Sequence, residues 1–187
     1  MKNNKNFSLQ WAQWLTLFGM GGIGLAIQYF ALSVDLKAFY LGEIPLIYQI
    51  LGGSLFGLVA AIGGWQIVLT DYLKPVRLKF SGLFQQLNLS VSQIVVLSFC
   101  AGIGEEILFR GAIQPYLGIW LTAFLFVAIH GYLNPKNLRI SIYGLYMTLV
   151  IAALGYLTVY AGILSAIFAH TVIDIYLLMQ LSKKENA

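Results

Sequence analysis

Charge is scarce in this sequence. Only 10% of its 187 residues are Asp, Glu, Lys or Arg, against about a quarter in a soluble domain. That scarcity excludes an ordinary soluble globular domain, and it excludes a disordered chain as well. Sulfur chemistry is equally restricted. Cys100 is the one cysteine, so there is no internal disulfide and no CxxC redox or metal site. Within an apolar run such a cysteine reads as a small hydrophobe. Basic residues outnumber acidic ones by 11 to 7, a formal net charge of +4. No basic patch interleaves with aromatics, so no nucleic-acid partner is expected. No repeat, low-complexity tract or linker divides the chain, and residues 1–187 read as a single membrane domain.

Apolar residues fill the space that charge leaves. They make up 59% of the chain, and the mean hydropathy is +0.81. The composition predicts an all-α, polytopic integral membrane bundle whose partner is the lipid bilayer. Six apolar segments can be read: Ala12–Val34, Ile44–Leu69, Ser90–Phe109, Leu117–Leu133, Ile140–Tyr160 and Gly162–Leu181. The first is too long for a signal-peptide core and lacks a small-residue cleavage site, so it is expected to be retained. Trp11 and Trp14 at its start suit interfacial anchors. Gly53 and Gly57 form a GxxxG in the second segment, a spacing that lets helices approach closely, here within the bundle.

The basic residues sort by side. Six spans with a cytoplasmic N-terminus place Lys2, Lys5, Lys74, Arg77, Lys79, Lys136, Arg139, Lys183 and Lys184 on the inside. Lys37 alone falls outside, and Arg110 lies in or at a span. Both termini are therefore expected in the cytoplasm, with the plasma or inner membrane as the default location. Residues 71–90 join the second and third segments and carry Pro75, three basic residues and several apolar ones. This connection reads as a partly helical interfacial segment on the cytoplasmic leaflet.

Ionisable residues inside apolar runs are costly and mark functional positions. They are Glu105, Glu106 and Arg110 in the third segment, His130 in the fourth, and His170 and Asp174 in the sixth. The set includes both histidines of the chain. Glu106 and Arg110 are four apart and share a helix face, whereas Glu105 points about 100° away. The spacing predicts a structural, ion-paired Glu106 and an available Glu105. Asp174 lies four residues after His170 and is expected to orient its imidazole. Phe126 repeats the spacing before His130, so its ring can pack beside that imidazole. A carboxylate and two histidines can activate water and stabilise an oxyanion. The same residues could also form a helix-locking polar cluster or a proton pathway.

Three short motifs carry a resemblance. Gly104-Glu105-Glu106-Ile107-Leu108-Phe109-Arg110-Gly111 resembles the EExxxR motif of the CAAX-protease and bacteriocin-processing (CPBP, or Abi) family of intramembrane endopeptidases. Phe126-Val127-Ala128-Ile129-His130 is similar to its FxxxH, and His170-Thr171-Val172-Ile173-Asp174 to its HxxxN or HxxxD. The resemblance covers about residues 89–178. It implies a glutamate-dependent protease whose substrate is a membrane-embedded or membrane-associated protein or peptide. By position, Glu105 would be the general base, His130 would help hold the water, and His170 and Asp174 would stabilise the oxyanion. Glu106, Arg110 and Phe126 would support them. Asp174 stands where many members have Asn, and an ionised Asp cannot donate to an oxyanion. There is no HExxH, GxGD or GxSG. Arg110 beside the carboxylates opposes a divalent ion, so neither metal nor cofactor is expected. The alternatives are a catalytically silent immunity or scaffold factor that binds a membrane protein, and a small proton-coupled transporter.

Overall fold

The computed structural model describes residues 11–32 and 35–183. Lys2, Lys5 and Lys184, used in the charge sorting, and Val34, the expected end of the first segment, lie outside the described residues. Helix α1 covers residues 11–30, with a π-helical stretch at Leu15–Met20. It is followed by α2 (Leu36–Leu41), α3 (Leu46–Leu69), α4 (Lys74–Leu87) and α5 (Val91–Glu106). A second π-helical stretch, Ile107–Ile113, joins α5 to α6 (Gln114–Ile129). Helices α7 (Leu138–Ala161) and α8 (Ile163–Ser182) complete the bundle. Among the described residues there is no strand.

Four helical stretches among the described residues are long and apolar enough to cross a membrane: Leu46–Leu69, Val91–Ile129, Leu138–Ala161 and Ile163–Ser182. Large apolar side chains such as Leu51, Leu55, Leu121 and Leu145 face outward from them. The molecule is an all-α membrane bundle. The segments read as separate third and fourth spans are one helical stretch of 39 residues. It turns back on itself at Gly118, whose φ of 71° and ψ of 172° are not helical. The reversal is visible in the packing, because Phe109 before the bend meets Phe126 after it, ring centroids 4.8 Å apart.

This bend settles the depth of the polar residues. The first arm runs past the expected end at Phe109, so Leu117 lies about 18 Å beyond Glu105 at 1.5 Å per residue. The returning arm, from Gly118 to His130, covers about the same 18 Å. His130 therefore comes back to the level of Glu105. Straight spans with the expected boundaries would have held the two apart.

Local chemistry explains the starts and stops. Ser90 caps α5 in a capping box with Gln93, which satisfies two otherwise unpaired amides. Pro75 sits in the first turn of α4, where its missing N–H costs nothing. The expected partly helical connection is thus a full helix, and it turns Val76, Phe80 and Phe84 toward an internal cavity. Gly131, with φ of 76°, ends α6. Its amide donates to the Ala128 carbonyl, and that of Tyr132 to the Val127 carbonyl, the pattern of a Schellman cap.

The basic segments gather at one end of the bundle. Arg139, beside the start of α7, lies over the Tyr72 ring before α4. Gln85 of α4 donates to the Lys183 carbonyl beyond α8. At the opposite end Gln49 donates to the carbonyls of Leu41 and Ile44, close to Gly162.

Helix α8 runs against α3, α5 and α7. Its contact with α3 is made backbone to backbone. A Cβ on Gly53 would strike the Ser165 carbonyl, and one on Gly57 the Ala169 carbonyl. The GxxxG of the second segment is therefore used inside the bundle. Gly52, one residue away, has open space where a Cβ would stand. Gly53→Ala and Gly57→Ala are expected to lose stability on the scale of core overpacking, about 1–3 kcal/mol, while Gly52→Ala leaves it unchanged. Thermal unfolding of the detergent-solubilised variants, followed by fluorescence-detected size exclusion, checks the contrast.

Candidate active site

The two consecutive glutamates leave α5 in different directions. Glu106 is fully buried. Its Oε2 pairs with Arg110 Nε at 3.0 Å, and its Oε1 accepts from His170 Nδ1 at 2.8 Å. Arg110 is also buried and donates through a terminal nitrogen to the Ile151 carbonyl of α7 at 3.3 Å. Glu105 instead faces His130 and His170. Its Oε2 lies 3.5 Å from His130 Nε2 and 4.0 Å from His170 Nε2. The 100° between consecutive helical side chains thus separates the two carboxylates. Glu106 also holds His170, a contact that spacing along one helix does not reveal.

The imidazoles are set by their partners. His130 Nδ1 is 2.7 Å from the Phe126 carbonyl, an acceptor, so Nδ1 carries the proton. In the neutral ring this leaves a lone pair on Nε2, directed at the Glu105 side. His170 Nδ1 donates to Glu106, and its Nε2 faces Asp174 Oδ2 at 3.5 Å as well as Glu105. Two carboxylate oxygens in front of Nε2 favour an N–H there too. Asp174 was expected to orient His170. It lies within reach, but the short bond that fixes the ring comes from Glu106.

Phe126 is the apolar floor of the site. Its ring stacks on His130 with centroids 4.3 Å apart and meets His170 edge-on at 5.8 Å. The Arg110 guanidinium lies over it at 5.7 Å, a cation–π contact. All seven residues singled out from the sequence are brought together. Glu105, Phe126, His130, His170 and Asp174 line one cavity of about 380 Å³, whose remaining wall is largely apolar and includes Trp65, Phe80 and Phe84. Among the described residues no group of three or more His, Cys, Asp or Glu side chains is arranged to hold a metal ion.

Two participants were not read from the sequence. The π-helical stretch Ile107–Ile113 disturbs the regular ladder beside the glutamates. Gln28 of α1, fully buried, donates to the Ile107 carbonyl at 3.3 Å, and its amide packs where a Cβ on Gly111 would stand. A neutral amide inside the first apolar segment was the available signal, but an uncharged side chain does not stand out there as an ionisable one does. Tyr132 is the second. It lines the same cavity, two residues beyond His130.

Residues 87–176, just under half of the chain, match the family model described as Type II CAAX prenyl endopeptidase Rce1-like. This match bears out the resemblance carried by the three motifs, and the segment contains every motif residue. The chain is also similar to "Uncharacterized protein YpbD" of Bacillus subtilis (strain 168), with 37% identity over 41 residues. That alignment spans 22% of this chain and 22% of the relative's own length. No solved structure matches.

The Glu106–Arg110 pair tests the architecture apart from any chemistry. Arg110→Met leaves Glu106 buried without its guanidinium partner, and breaking a buried pair from one side typically costs about 3–5 kcal/mol. Folded yield is expected to fall sharply. Replacing both partners, Glu106→Gln with Arg110→Met, removes both charges and is expected to recover most of the folded yield. Monodispersity and thermal unfolding of the purified variants provide the measurement.

Proposed function

From a membrane bundle whose residues 87–176 match an endopeptidase family, we propose an intramembrane endopeptidase that hydrolyses a peptide bond with a glutamate-activated water. One observation carries the reading: three helical arms bring His130 and His170 within 4.0 Å of Glu105 at the wall of a single cavity. The substrate is a membrane-embedded or membrane-associated protein or peptide, and the apolar wall of the cavity suits such a chain.

The mechanism follows from the lone pairs. With His130 neutral, Glu105 Oε2 and His130 Nε2 are both acceptors, and at 3.5 Å they can each accept one hydrogen of the same water. The water is thereby oriented with its oxygen toward the cavity. Glu105 takes a proton as the oxygen attacks the peptide carbon, and the carbonyl electron pair moves to oxygen. His170 Nε2–H, held by the Glu106 bond on the far side of the ring, faces the developing charge. The proton on Glu105 then passes to the amide nitrogen as the C–N bond breaks. General base catalysis typically contributes about 10²–10⁴-fold, and a single oxyanion donor about 10²–10³-fold.

Orientation belongs to the same proposal. The basic residues clustered at one end of the bundle support a cytoplasmic location for that end and for both termini. A cysteine introduced at Lys136, in a Cys100→Ala background, is expected to react with an impermeant maleimide only from the cytoplasmic side. Labelling from the opposite side overturns the orientation.

For the activity, membranes containing the wild type and Glu105→Gln are compared by mass spectrometry of peptide fragments. Fragments that depend on Glu105 are expected, with equal amounts of folded protein in the two samples. Identical fragment patterns overturn the assignment of the base. No cleavage, with a membrane-protein partner still captured, supports a silent scaffold instead.

A further inference from the structure

The proposed hydrolysis leaves the oxyanion short of donors. Around Glu105, the carboxylates of Glu105 and Asp174 only accept when ionised. His130 spends its N–H on the Phe126 carbonyl. The outward N–H of His170 lies in front of two carboxylate oxygens that compete for it. Of the other cavity-lining side chains that carry a polar hydrogen, Tyr132 is the one whose ring stands beside that of His130.

Tyr132 is held in place from several directions. The Schellman cap at Gly131 fixes its backbone directly after His130. Helix α7 presses on its carbonyl, since a Cβ on Gly144 would collide with it. Its ring lies nearly parallel to that of His130, at 13° and 6.3 Å between centroids. The Tyr143 ring meets it edge-on at 5.5 Å. The side chain therefore borders the same cavity as Glu105, His130, His170 and Asp174 in one orientation.

We propose that the Tyr132 hydroxyl is a catalytic hydrogen-bond donor of this site, supplying to the oxyanion the neutral O–H that an ionised Asp174 lacks. The inference rests on the endopeptidase reading and adds a residue to it. Burial, and after it the carboxylates of Asp174 and Glu105, push the phenol pKa up to about 12. The proton consequently stays on oxygen at working pH. It remains on Tyr132 throughout: the water proton goes to Glu105, the carbonyl electron pair goes to the substrate oxygen, and Tyr132 only donates a hydrogen bond to it. When the C–N bond breaks, the amine takes its proton from Glu105.

The test uses the full chain reconstituted in lipid vesicles. The substrate is the peptide fragmented by wild-type but not Glu105→Gln membranes, synthesised in internally quenched form. Tyr132→Phe removes one oxygen and leaves the ring packing. It is expected to lower kcat about 10²-fold, the effect of losing one oxyanion donor, with KM changed less than about twofold and thermal unfolding unaltered. Adding Asp174→Asn restores a neutral donor, so the double variant is expected to regain at least about tenfold in kcat over Tyr132→Phe alone. Wild-type kcat in Tyr132→Phe, a loss borne by KM, or a double variant no better than the single overturns the role of Tyr132 while leaving the protease reading intact. Absence of any Glu105-dependent fragment overturns both.

Discussion

A carboxylate with no exposure to solvent, Glu106, sets the terms for the rest of the molecule. Burying a charge is costly unless it is paired and its oxygens are satisfied. Glu106 meets that demand with two partners drawn from different places. Arg110 comes from the next turn of its own helical stretch, and His170 from α8. Arg110 in turn reaches the Ile151 carbonyl of α7. One buried acid thus ties three helices together at the depth where the cavity opens. Its neighbour Glu105 is released from that duty and faces the cavity with its Oε2 toward both imidazoles. The division between adjacent glutamates is a consequence of helical geometry, because side chains one residue apart diverge by about 100°.

Such a centre holds only if the helices come close enough. Lipid supplies no hydrophobic drive between apolar helices, so contact depends on close packing and on polar partners. Gly53 and Gly57 let α3 lie directly on the backbone of α8. Gly102 does the same for α5, where a Cβ would strike the Thr171 hydroxyl. Thr171 follows His170 directly. The glycines and the catalytic candidates are therefore coupled: a helix held at arm's length would carry His170 away from Glu106.

Much of this was legible in the sequence, and the reasons for the rest are physical. Charge is so costly in an apolar run that six ionisable residues stood out, and spacing of four placed them on shared faces. All of them, with Phe126, meet in one site. Gly118 was not legible as a point of reversal. In a chain with 19 glycines, a left-handed glycine looks like any packing glycine, and the surrounding residues are uniformly apolar. The stop at Gly131 was missed for the same reason, since apolar character continues to Leu133. Gln28 is uncharged, and its target is a carbonyl 79 residues away. Asp174 was read as the orienting partner of His170 because it lies nearby in sequence, whereas the short bond comes from Glu106 on another helix. Local spacing reveals which residues can share a face. It does not reveal which distant group arrives first.

The reversal at Gly118 also has a chemical consequence. A helix that crossed the whole bilayer after Arg110 would end far from Glu105. The short returning arm ends at His130 instead, level with the carboxylate, and a helix end is where a backbone carbonyl is still open to an extra partner. The Phe126 carbonyl uses that freedom to accept from His130 Nδ1. This holds the ring by Nδ1 and turns Nε2 toward Glu105. The cap that stops the helix then places Tyr132 immediately beside the imidazole. Bend, carbonyl, imidazole and cap form one sequence of constraints. Through them a stretch of ordinary apolar helix brings Glu105, His130 and Tyr132 to the wall of one cavity.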